Sequence, residues 1–84
     1  MDIEAQIRDY LTENVLFSDG PFGYDDNASF LEEGIIDSVA IMDIVMFVEE
    51  TFTITIEDHE IIPDHFYSVN RLASYIRVKQ TGQD

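Results

Sequence analysis

Few side chains in this sequence can do chemistry, and one pair stands out. Asp37-Ser38 precedes a long apolar run over residues 39–48, and Gly34 comes shortly before it. At the start of a helix, either Asp37 or Ser38 can cap, accepting from the free backbone N–H groups of the first turn. Those same groups, with the positive end of the helix dipole, would also favour a phosphate on Ser38. Gly34 lets the chain turn and leave Ser38 accessible. Cap and modification site start from the same physics.

Other chemistries fail on residue type. Cysteine is absent, which excludes disulfides and thiolate metal sites. A serine hydrolase needs a base and an orienting acid near its nucleophile. His59 and His65 are the two imidazoles, and the sequence has no Gly-x-Ser-x-Gly elbow. No catalytic residue is assigned, and the histidines are expected to pack and to titrate locally among carboxylates. The acidic stretch from Asp25 to Ser29 invites comparison with a calcium-binding loop. Its sixth position is Phe30 where glycine is required, and its twelfth is Ile36 where glutamate is required. No metal site is assigned.

Charge narrows the partners. The chain has 84 residues, 18 acidic against 4 basic, and a formal charge of −14. Nucleic-acid binding draws on Lys and Arg that this chain lacks, and an anionic membrane surface would repel it. Yet 45% of residues are hydrophobic and 12% aromatic, enough for a core and too many for an acidic disordered tail. No Lys or Arg falls between residues 9 and 70. Such a one-sign surface steers basic partners and rejects acidic ones. The start lacks the basic flank and apolar run of a secretory signal, and no stretch approaches membrane-span length. The expectation is a single domain over residues 1–84, monomeric and cytoplasmic.

The elements that must position Ser38 follow from apolar spacing. Ile3, Ile7, Leu11 and Val15 recur at helical intervals, with Tyr10 beside them, predicting a helix over 3–15. Residues 16–36 are broken by Gly20-Pro21 and Gly23. Seven large apolar residues punctuate that stretch: Phe17, Phe22, Tyr24, Phe30, Leu31, Ile35 and Ile36. They predict a long loop pinned onto the core. Residues 38–52 are the strongest helical segment. Residues 51–56 alternate Thr and Ile and read as an extended connection, since no partner strand exists. Residues 57–62 predict a short helix stopped by Pro63. Ser68 is expected to cap a last helix carrying Val69, Leu72, Ala73 and Ile76, with residues 79–84 a frayed tail. The fold class is all-α, a small four-helix bundle of three main helices, one short helix and a long first loop.

The middle helix has two apolar arcs. Ile41, Ile44, Val45, Val48 and Phe52 share one, which should face the core. Val39, Met42 and Met46 form a second, flanked by Asp43, Glu49 and Glu50. Either the loop covers the second arc, or it reaches solvent as an apolar docking strip rimmed by carboxylates. Phe47 lies at the margin of the core arc.

The run Glu33-Gly34-Ile35-Ile36-Asp37-Ser38-Val39, with the apolar helix ending Phe47-Val48-Glu49-Glu50-Thr51-Phe52, resembles acyl carrier proteins and related peptidyl and aminoacyl carriers. Asp37-Ser38-Val39 matches the family's Asp-Ser-aliphatic signature. Residues 54–62 and then Phe66-Tyr67-Ser68-Val69 resemble its third-helix region and the entry to its last helix. The resemblance implies a carrier domain that is not itself an enzyme. A phosphopantetheinyl transferase, using coenzyme A and Mg²⁺, would attach 4′-phosphopantetheine to Ser38, and the arm's thiol would carry cargo as a thioester. The reactive sulfur would then come from the prosthetic group. Carried over residue by residue, Asp37 is a recognition acid beside the attachment site. Val39, Met42, Asp43, Met46, Glu49 and Glu50 match partner contacts. Ile41, Val48 and Phe66 match positions bordering a cargo pocket.

Implied partners are the transferase and enzymes with basic docking patches: AMP-forming acyl or aminoacyl ligases, ketosynthases and acyl transferases. Ala40 stands where fatty-acid carriers often have an acid, and the first loop is more aromatic than theirs. The pattern is closer to stand-alone carriers that serve AMP-forming ligases. The competing reading is a small acidic protein-interaction module in which Ser38 is only a helix cap.

Overall fold

The computed structural model describes residues 2–17, 20 and 22–82. Among these residues there are three α-helices and no strand: α1 (Ile3–Asn14), α2 (Ala40–Phe52) and α3 (Val69–Gly82). α1 starts where Asp2 leaves the extended region and accepts the Ala5 amide at 2.7 Å. Its Ile7 and Leu11, one turn apart, are buried. α2 ends at Thr53, a left-handed residue (φ 55°, ψ 50°) without the glycine that usually fills such a place. α3 is capped as expected, with Ser68 Oγ accepting the Arg71 amide at 3.2 Å.

One expectation about the second half changes. Over residues 57–62 the short helix is not confirmed. The chain makes a single 3₁₀ turn, Asp58–Glu60, closed by a reciprocal capping box between Glu57 and Glu60. Too few residues lie between the extended segment and Pro63 for α-helical hydrogen bonds to propagate. Residues 79–82 of the expected tail belong to α3. α3 continues through Gly82, and Lys79 Nζ is held by Glu60 Oε1 at 2.9 Å. Gln83 and Asp84 lie outside the described residues.

The core draws on every segment. Ile44, Val45 and Val48 of α2 pack with Val69, Leu72, Ala73 and Ile76 of α3 and with Ile7 and Leu11. Ile41 and Phe52, from the same arc, are half-buried. The connection after α2 is extended, and Ile54 and Ile56 point inward while Thr53 and Thr55 stay exposed. α1 and α3 are clamped at the surface by a bidentate pair, Arg77 to Glu4 at 2.6 and 2.7 Å.

The long first loop is pinned by four of its seven large apolar residues: Phe22, Phe30, Ile35 and Ile36 are buried. Phe17, Tyr24 and Leu31 remain exposed. Backbone and polar contacts fix it to α1 and α3. The Phe30 amide donates to the Tyr67 carbonyl at 2.8 Å, and Arg8 pairs with Asp26 at 2.6 Å. Asn70 Nδ2 donates to Asn27 Oδ1 at 2.7 Å. Gly34 sits at φ 71°, where a side chain would be strained, and turns the chain toward Ser38. The acidic stretch beginning at Asp25 serves this anchoring: Asp25 Oδ1 accepts the Asn27 amide at 2.8 Å, and Asp26 holds Arg8.

Candidate functional site

The site is built around the first turn of α2. Asp37 Oδ1 accepts the Ala40 amide at 2.9 Å. Ser38 and Val39 lie in the turn before the helix, both exposed. The Ser38 hydroxyl makes no hydrogen bond among the described residues. The capping role that either residue can fill is therefore taken by Asp37. Its neighbour is left in solvent with a free oxygen, beside a helix terminus that favours negative charge.

The second apolar arc of α2 stands in solvent. Val39 is 78% exposed, Met46 59% and Met42 54%, and the first loop does not cover them. Asp43 and Glu50 are exposed beside them. Glu49 behaves differently: it is half-buried, and its Oε2 accepts the Ile56 amide at 2.9 Å. That bond ties α2 to the extended segment, so Glu49 has a structural task that its place in the sequence pattern does not reveal.

Phe47 finds its place against α1. Its ring stacks on Tyr10 with centroids 4.1 Å apart and an interplanar angle of 18°, and it meets Phe52 edge-on at 6.0 Å. Burial raises the Tyr10 hydroxyl above its ordinary pKa, and the charge of Asp43 adds to the shift.

Two clefts share Leu31 as a wall, and the larger reaches the Ser38 turn. The larger, about 780 Å³, runs from Asp37 and Ser38 to Tyr10, Asn14 and Val15 on α1. The smaller, about 400 Å³, is dominated by Ile41, Ile61, Ile62, Pro63 and Phe66. Of the three residues expected to border a cargo pocket, Ile41 and Phe66 meet in this apolar cleft. Val48 is fully buried and lines neither cleft. Tyr10, Asn14 and Leu31 escape sequence reading because their part depends on how α1 and the loop pack beside α2. The one hint was the position of Tyr10 beside the apolar stripe of α1.

In the segment before α3, His65 Nδ1 donates to the Glu60 carbonyl at 2.8 Å and its ring stacks on Tyr75 at 4.3 Å. The packing expected of His65 is present, while His59 is exposed. No helix among the described residues is long and apolar enough to cross a membrane.

No family model matches the chain, and no curated protein matches it. Among solved structures the chain is similar to one described as a FAD-dependent dehydrogenase, at 29% identity and a TM-score of 0.69. That likeness covers 82% of this chain and 96% of the other.

Proposed function

We propose that this protein is an acyl carrier: phosphopantetheine attached to Ser38 holds an acyl or aminoacyl group as a thioester and presents it to successive enzymes. The observation that carries this reading is the division of labour between Asp37 and Ser38. Asp37 caps α2 at 2.9 Å, and the Ser38 hydroxyl is exposed with no partner among the described residues. A serine retained only as a cap would be expected to make the capping bond. The residues present also fit the group. The Ser38 oxygen is accessible, the adjoining helix terminus favours a phosphodiester, and Ser38 is part of the wall of an open cleft. When bound, the group supplies the nucleophilic thiol that a cysteine-free chain lacks.

The exposed strip of Val39, Met42 and Met46, rimmed by Asp43 and Glu50, supports docking to basic surfaces. In this reading the chain is a substrate of other enzymes, which include the transferase, an AMP-forming ligase and enzymes that elongate or transfer the acyl group. The four-helix carrier bundle belongs to the same reading, with the 3₁₀ turn at Asp58–Glu60 in the place of its short helix.

Incubation with coenzyme A, Mg²⁺ and a broad-specificity phosphopantetheinyl transferase tests the reading. The intact mass should rise by one phosphopantetheine group, and Ser38→Ala should abolish the rise. No gain with several transferases leaves the acidic interaction module as the reading.

A further inference from the structure

Resting on the carrier reading, we infer that the arm on Ser38 folds back across the larger cleft onto α1, where Tyr10 and Asn14 bind its amide groups. The two clefts differ in what they can accept. The walls of the smaller are mainly Ile41, Ile61, Ile62 and Phe66. Its polar residues are already engaged, Ser29 Oγ with the Glu32 amide and the Tyr67 hydroxyl with Glu32 Oε2, so an entering amide finds few replacements for water, a cost of about 1–3 kcal/mol by protein mutational data. The larger cleft, about 780 Å³, lies within the ~300–1,000 Å³ range of small-molecule sites. Ser38 is itself part of its wall, which combines apolar side chains (Val15, Leu31, Ile35) with polar ones (Tyr10, Asn14). A pantetheine arm is mixed likewise, with two secondary amides separated by short aliphatic stretches and a pair of methyl groups.

The two polar residues are held ready. Asn14 Nδ2 donates to the Tyr10 carbonyl at 3.3 Å, which orients the side-chain amide and leaves Oδ1 free to accept an arm N–H. Stacking on Phe47 fixes the Tyr10 ring, whose hydroxyl has no partner among the described residues and can donate to an arm carbonyl. Asp37 and Asp43 also line the cleft but offer no donor to an arm carbonyl, which leaves that part to Tyr10. A docked arm keeps its thiol against the carrier until a partner enzyme draws it out.

The test uses the full chain loaded by the transferase, with loading verified by mass, and ¹⁵N-edited spectra of the apo and loaded forms. Loading should shift the Asn14 side-chain amide pair and the Tyr10 backbone amide, with contacts from the arm's methyl groups to Val15 or Leu31. Asn14→Ala and Tyr10→Phe should each speed reaction of the arm's thiol with a disulfide reagent by about five-fold, the weight of one ordinary hydrogen bond. Tyr10→Phe keeps the ring on Phe47, so its unfolding temperature should match the parent. Shifts confined to the chain neighbours of Ser38, or appearing at Ile61 and Phe66, overturn the inference and leave the carrier reading standing. Failure of Ser38 to load overturns both.

Discussion

Asp37 Oδ1 accepts the amide of Ala40 at 2.9 Å, and the adjacent Ser38 hydroxyl has no partner among the described residues. The two side chains therefore differ in what they contribute to the fold. Replacing Asp37 with Ala removes a cap and should lower stability by about 1 kcal/mol. In a domain of this size that is a fall of roughly 4–8 °C in melting temperature. Ser38→Ala should stay within about 0.5 kcal/mol of the parent. Thermal unfolding of both variants checks the division; equal losses would contradict it.

Docking should depend on particular carboxylates. Asp43→Lys and Glu50→Lys flank the strip of Val39, Met42 and Met46. Together they should weaken association with a basic partner enzyme, and raising the salt should weaken the parent in the same direction. Asp64→Lys, an exposed reversal outside the strip, is the matched control. Glu49 is a poor probe because its carboxylate holds the Ile56 amide; Glu49→Ala should cost about 1 kcal/mol of stability before any docking is measured. Equal weakening by Asp43→Lys and Asp64→Lys would return the charge to a general solubility device.

How much of this was legible depended on whether a role was local. The helix starts at Asp2 and Ser68 are written in single side chains bonding to nearby amides, and the two arcs of α2 follow from periodicity. That the second arc stays in solvent was open, because only the path of the first loop decides whether it is covered. Phe47 and Glu49 were opaque for the same reason: their partners, Tyr10 and Ile56, are set by packing across segments. The short helix over 57–62 failed where local propensity met too little length, and a single 3₁₀ turn resulted.

Acid should loosen the contacts between the ends of the chain. The Arg77 guanidinium holds the Glu4 carboxyl below its ordinary range. Bonding within the Glu57–Glu60 turn, then Lys79, does the same for Glu60. A depressed carboxylate stabilises the fold above its unfolded pKa, near 4.3, and that contribution fades as pH falls through the lower folded value. Stability should hold through neutral pH and drop below about pH 4.3. Arg77→Gln should reduce the slope of that drop. An unchanged acid limb in titrated melting curves would contradict the assignment.

Tyr75 offers a test of a different kind. It is buried, and among the described residues no group meets hydrogen-bond geometry with its hydroxyl, although the Glu60 carboxylate is near enough to act on it. Burial, with the nearby charge of Glu60, pushes the hydroxyl up to about 12. Tyr75→Phe removes an unsatisfied oxygen and keeps the ring stacked on His65. The melting temperature should be unchanged or higher. A loss beyond about 1 kcal/mol would reveal a hydrogen bond that the geometry does not contain.

The central claim is that Ser38 is an attachment point, and peptide mapping after transferase treatment addresses it most directly. The sequence offers other serines for comparison, including Ser29, Ser68 and Ser74. Ser29 and Ser68 are buried and accept backbone amides, while Ser74 is exposed on α3. The account predicts one phosphopantetheine group, found wholly on the peptide containing Ser38 and absent from Ser38→Ala. A chain that remains unmodified with several transferases, or a group found on Ser74, would contradict it.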